Sequence, residues 1–212
     1  MRGLAPRVAI YRGPNLCVYR AHVNSRRESA AVRALRGLFR KSETGRRARA
    51  LYARAVAQAR EPRFYAELGV PDTVDGRFEM VALHVWLLLR RLRADEARAG
   101  GLAQGLFDAM FDDMDRALRE MGAGDLGVGR RVKAMATAFY GRIAAYDSGL
   151  DSPDPAFEDA LIRNVWRGAA PEGGAATALA AYARHRAAAL ERCPLEALLD
   201  GEAPFADVEQ EA

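Results

Sequence analysis

GRFEMVALHVWLLLRRLR, residues Gly76 to Arg93, is the stretch on which the fold turns. Phe78, Val85 and Leu89 recur at helical spacing along one side, and Met80, Leu83 and Leu87 along the other. A helix that is apolar nearly all round cannot lie on a surface, so it belongs in the middle of a bundle. Its longest apolar run, Met80 to Leu89, is about half the roughly 20 residues that a membrane-spanning helix needs. The expected neighbours are therefore other helices.

Those neighbours are legible on both sides. Upstream, a helix from about Arg46 to Arg60 carries Leu51, Tyr52, Ala55, Val56 and Ala59 inward and stops before Pro62. A short turn, Phe64 to Leu68, ends at Gly69, and Asp72 or Asp75 is placed to cap the central helix. Downstream, about Ala103 to Met121 is amphipathic, with Leu106, Phe107, Met110, Phe111, Met114 and Leu118 on one face and Asp108, Asp112, Asp115 and Arg119 on the other. A fifth helix spans about Arg130 to Tyr146, with a strip of small residues, Ala134, Ala138, Gly141 and Ala145. Ser152 and Pro153 open a sixth that ends near Gly168, a seventh runs to about Cys193, and a turn from Pro194 reaches Leu199. The expected fold is all-α, one bundle of about six to seven helices. Residues 1–45 read as a basic, mostly disordered arm, 46–200 as the helical domain and 201–212 as an acidic tail.

Charge divides along the same lines. Residues 1–47 hold 12 Arg and Lys against two acids, whereas the rest of the chain holds 20 against 26. A mildly acidic body excludes a DNA-binding fold, which carries its basic stripe on the domain itself. Only the arm could bind RNA or a ribosome surface. Two cysteines without a CxxC pair support neither a disulfide scaffold nor a thiolate zinc site, and a reducing compartment is the default.

Motifs that could carry chemistry are few. Gly122, Gly124 and Gly127 spell GxGxxG, but a dinucleotide site needs a strand before it, and here a helix precedes it. Asp108, Asp112 and Asp115 resemble the aspartate-rich helix of magnesium-dependent helical enzymes. Such enzymes need a second cluster, and the remaining dense set, Asp147, Asp151 and Asp154, falls in an expected loop. Arg116 and Arg119 follow one turn later as salt-bridge partners. His22, His84 and His185 share no metal-ligand spacing. No nucleophile elbow or zinc-protease motif is present, so catalytic residues, metal and cofactor are all expected to be absent. One polar feature stands out on the central helix: a spacing of seven aligns Arg77, His84 and Arg91. That line reads either as an exposed edge or as a recognition groove.

Three long words, FYAELGVPDTVDGRFEMVALHVWLLLRRLR (Phe64 to Arg93), LFDAMFDDMDRALREMGAGDLGVGRRVKAMATAFYGR (Leu106 to Arg142) and LIRNVWRG (Leu161 to Gly168), closely resemble the ubiquinol–cytochrome c chaperone family, in its alphaproteobacterial type. The resemblance implies a non-enzymatic assembly factor for respiratory complex III that holds newly made cytochrome b, with the ribosome as a further partner in mitochondrial members. It also implies a cytoplasmic protein, peripheral at the inner membrane if attached at all, or a mitochondrial one in a eukaryote. By position within these words, Arg77, Phe78, His84, Arg130, Arg131, Lys133 and Tyr140 are the expected partner contacts, with Asp112 and Asp115 as an opposing acidic patch. The segment from Val32, VRALRGLFR, resembles the opening of bacterial members. Valine can stand for a GTG start, and a chain begun there would carry a net charge of −1.

Overall fold

The computed structural model describes residues 43–120, 122, 125–152, 155–203 and 205. Among them every regular element is a helix: α1 (Glu43–Ala59), α2 (Pro62–Ala66), α3 (Val74–Arg93), α4 (Glu96–Glu120), α5 (Asp125–Leu150), α6 (Ala156–Val165), α7 (Ala175–Arg192) and α8 (Leu195–Leu199). The all-α reading holds, while the arm expected to be disordered lies almost wholly outside the described residues.

α3 is the hub. It packs against α1, α4, α5, α6 and α7, and every residue from Phe78 to Leu89 is buried. Its start is built by three short-range devices. Thr73 Oγ1 accepts from Gly76 N at 3.2 Å, making Thr73 the cap in place of the expected Asp72 or Asp75. Asp72 instead takes Arg77 Nε at 2.6 Å. Gly76 is obligatory there, because a Cβ would stand 1.9 Å from Pro71 O.

Three helix boundaries differ from expectation. α4 begins at Glu96, two turns before Ala103, and runs through Gly100 and Gly101. A helical glycine costs about 1 kcal/mol relative to alanine, whereas burying one leucine side chain returns about 1.5–3 kcal/mol. Leu102 and Ala99 are both buried, so packing outweighs propensity. α5 extends the expected Arg130–Tyr146 helix at both ends, because Val128 before it and Gly149 after it are also packed inward. α6 starts at Ala156, downstream of Pro153. Pro155 is its N-cap, and Pro153, the expected first residue, lies outside the described residues.

The second close approach lies between α5 and α6, where a Cβ on Gly149 would stand 2.8 Å from Phe157 Cα. α6 ends with Gly168 N bonded to Ile162 O at 2.9 Å, and Trp166 Nε1 donates to Gly69 O at 3.1 Å, tying the Trp-Arg-Gly word to the turn before α3. Beyond α8 the packed body continues, with Ala203 and Phe205 both buried.

Candidate functional site

The aligned residues Arg77, His84 and Arg91 do not form one exposed edge, because three different neighbours claim them. Arg77 remains at the surface in its ion pair with Asp72. Arg91 reaches the C-terminus of α7, donating from Nε to Leu190 O at 2.9 Å and from Nη2 to Cys193 O at 3.1 Å. It thereby satisfies carbonyls that a helix end leaves without a partner. His84 is wholly buried, which corrects its assignment as a surface contact.

The tautomer of His84 follows from its partners. Nδ1 lies 2.7 Å from Met80 O, and a carbonyl only accepts, so Nδ1 carries the proton. Nε2 then accepts from the Tyr182 hydroxyl at 2.7 Å. Burial, reinforced by the nearby Arg186 and Arg63 charges, pushes His84 down to about 4. Burial also raises Tyr182 to about 12. Phe64 and Phe205 close the group, their rings 5.6 and 5.7 Å from His84.

Phe78 is also buried, with the Arg142 guanidinium 5.3 Å from its ring centroid. Arg142 in turn forms a bidentate ion pair with the buried Glu79, whose carboxyl is raised by burial against the pull of Arg142. Tyr140 is half-buried and stacks on Phe107 at 5.5 Å. Arg130, Arg131 and Lys133 are exposed on the outer side of α5. On that side Ala134, Thr137, Gly141, Ala144 and Ser148 are exposed too, so the cations stand at one end of a smooth strip of small side chains.

The aspartates of α4 are half-buried. Asp115 pairs with Arg119 at 2.7 Å, Asp108 accepts from Gln104 at 3.0 Å, and Asp113 accepts from the Tyr52 hydroxyl on α1 at 2.8 Å. Among the described residues no three His, Cys, Asp or Glu side chains are grouped to hold a metal ion. Among the described residues Met80 and Met110 are buried, and Met114 and Met135 lean on the core.

One cleft of about 350 Å3 opens between the C-terminal ends of three helices, α3 (Leu87, Arg90, Arg91, Arg93), α5 (Asp147, with Asp151 just beyond) and α7 (Ala187, Glu191). Each helix end carries roughly half a negative charge, which accounts for three arginines in one place. Asp147, expected in a loop, sits in the last turn of α5 and accepts from Trp86 Nε1 at 2.8 Å and from Arg93 Nη2 at 2.9 Å. Arg90 spans Asp147 and Asp151 at 3.4 and 2.8 Å. This clamp was not foreseen, although RRLR at the end of an apolar helix and acids four residues apart were its visible signals.

Fold and site together define an all-α bundle in which many charged groups are spent on joining helices. The chain belongs to the ubiquinol-cytochrome C chaperone family, whose family model matches residues 66–205. It is similar to the crystal structure of the Cbp3 homolog from Brucella abortus at 39% identity and a TM-score of 0.71, over 84% of this chain and 99% of that one. The ubiquinol-cytochrome-c reductase complex assembly factor 1 of Xenopus laevis is 29% identical over 116 residues, 54% of this chain and 58% of that protein. Protein CBP3, mitochondrial, of Saccharomyces cerevisiae is 32% identical over 108 residues, 50% of this chain and 32% of that protein. The chain thus spans little more than half the length of the first of these curated relatives and a third of the second. None of the helices among the described residues is long and apolar enough to cross a membrane.

Proposed function

We propose that this protein is a non-enzymatic assembly factor for ubiquinol–cytochrome c reductase and that its client is newly made cytochrome b. The observation that carries the reading is the family match over residues 66–205, which spans α3 to α8 and reaches the buried Phe205. The bundle suits the task physically. A client rich in apolar helices needs a surface that accepts close helix approach, and the small-residue side of α5 offers one. Arg130, Arg131 and Lys133 at one end would pair with acidic flanks of the client, Arg77 extends the cationic rim beside α3, and Tyr140 gives an adaptable aromatic border. Asp112 and Asp115 form the acidic counterpart on α4. No step of such holding requires a cofactor or a catalytic group.

A deletion strain tests the reading. The expected result is loss of assembled ubiquinol–cytochrome c reductase and of cytochrome b, with other respiratory oxidases intact. Unchanged cytochrome b and unchanged ubiquinol–cytochrome c reductase activity would sink it.

A further inference from the structure

Among the described residues Val74 is the one large apolar side chain that lies exposed; the others are buried or half-buried. The small-residue side of α5 lets a helix come close but offers it little apolar area. Holding an apolar client calls for more, so a seam between helices has to part. The seam that parts at least cost is the one with least apolar burial across it.

α5 is the least buried of the long helices. Fourteen of the 20 residues of α3 are buried, whereas on α5 the buried ones among the described residues are Val128, Ala136, Phe139, Tyr146 and Gly149. Its C-terminal end is pinned. Tyr146 lies wholly buried with its ring 5.2 Å from Trp86, Asp147 holds Trp86 and Arg93, and Gly149 lies against Phe157. Nearer the N-terminus it is held chiefly by Phe139 and by the ion pair of Arg142 with the buried Glu79, while Val132 and Met135 only lean on the core. Opening returns both charges of that pair to water, and the regained hydration offsets the lost attraction.

Beneath this half of α5 lies an aromatic seam. Phe107 and Phe111 of α4 stand 4.6 Å apart, Phe139 meets them at 5.8 and 6.2 Å, and Tyr140 stacks on Phe107 at 5.5 Å. Met110 and Met114 continue the same face of α4 with unbranched, polarisable side chains that repack around different partners. The N-terminal end of α5 carries the exposed Arg130, Arg131 and Lys133.

We propose that the N-terminal half of α5 is a lid, lifting about its pinned C-terminal end, and that the α4 face beneath it, Phe107, Met110, Phe111 and Met114, takes one helix of the client. The occupant is a helix with an apolar body and an acidic flank: the aromatics and methionines cover the body, and the cations at the free end of the lid pair with the flank. That the helix belongs to newly made cytochrome b rests on the client reading above; the seam is where it sits.

Hydrogen exchange of the full chain reads the lid directly. Amides of residues 130–143 exchange at least about tenfold faster than those of 144–150 and of α3, because they open without global unfolding. Equal rates along the whole of α5 and in α3 overturn the lid. In the native host, Phe111→p-benzoylphenylalanine places a photocrosslinking ring in the seam and captures newly made cytochrome b. Phe157→p-benzoylphenylalanine, equally buried but in α6, does not. Phe107→p-benzoylphenylalanine supplies a second seam position should the Phe111 variant not fold. Capture of cytochrome b from the exposed Ala134→p-benzoylphenylalanine and from neither seam position overturns the seam while leaving cytochrome b as the client. Capture from no position overturns the seam as well, and the deletion strain then tells whether the client reading falls with it.

Discussion

The Tyr182 hydroxyl donates to His84 Nε2 at 2.7 Å across 98 residues of sequence, because the Met80 carbonyl holds the ring proton on Nδ1. The bond joins α7 to the middle of α3, and its proton arrangement works only while the ring is uncharged.

Stability should therefore depend on pH through His84. Its folded value is about 4 against an ordinary 6.5, so between those values the unfolded chain binds the proton that the folded chain refuses. The contribution is fully present above pH 6.5 and is lost as pH falls through the window, at most roughly 3 kcal/mol for a shift of this size. Glu79, raised by burial, works in the opposite sense as pH rises above its ordinary value. Melting curves of wild type and His84→Gln from pH 7.5 to 4 separate the two, since only wild type should keep the His84 slope. Parallel curves would count against a buried, neutral His84.

Asp147 and Asp151 both meet Arg90 but should differ sharply in worth. Asp147 is 13% exposed and holds Trp86, Arg90 and Arg93, whereas Asp151 is 62% exposed. Asp147→Ala leaves partly buried cations without their shared carboxylate and should cost about 3 kcal/mol. Asp151→Ala should stay below about 1 kcal/mol. Urea unfolding of the two variants measures the difference.

Glycines in helices should respond in opposite directions. Gly76→Ala drives a Cβ into Pro71 O and should destabilise, while Gly141→Ala meets nothing within 4 Å and should stabilise by up to about 1 kcal/mol. Thermal melts of both, with Gly149→Ala as a second crowded site, check the signs.

Client recognition should separate from stability on α5. Arg130→Glu/Arg131→Glu/Lys133→Glu alters exposed positions, so unfolding should move by no more than about 0.5 kcal/mol per site. Assembled ubiquinol–cytochrome c reductase should fall in a strain carrying it. Arg77→Glu, also at the surface, provides a second reading of the same rim. Normal assembly in both strains would remove these residues from the client surface.

Much of this architecture is written in local patterns. The all-round apolar character of Gly76–Arg93 places α3 at the centre, and Pro62, Gly69 and Gly122 mark real ends. What local patterns lack is knowledge of which neighbour covers which side. A spacing of seven aligns Arg77, His84 and Arg91, yet only tertiary packing decides that α7 receives one in its last carbonyls and buries another beneath Tyr182. Asp147 looked like a loop acid because the Phe139–Tyr146 periodicity ended before it, although the helix continues for one more turn to make the clamp. Of the expected contacts, Arg77, Arg130, Arg131 and Lys133 lie exposed and His84 and Phe78 lie buried. Sequence spacing distinguishes polar from apolar but not rim from interior.

The cover over His84 also has a place in time. A chain is made from its N-terminus, so α3 is complete long before Tyr182 and Phe205, which close its polar middle. During that interval this central helix lacks α5, α6 and α7 and is exposed to aggregation. Core closure is thus a late event in synthesis, and ribosome-bound chains arrested before Tyr182 should be cut by protease within α3, while chains carried past Phe205 resist.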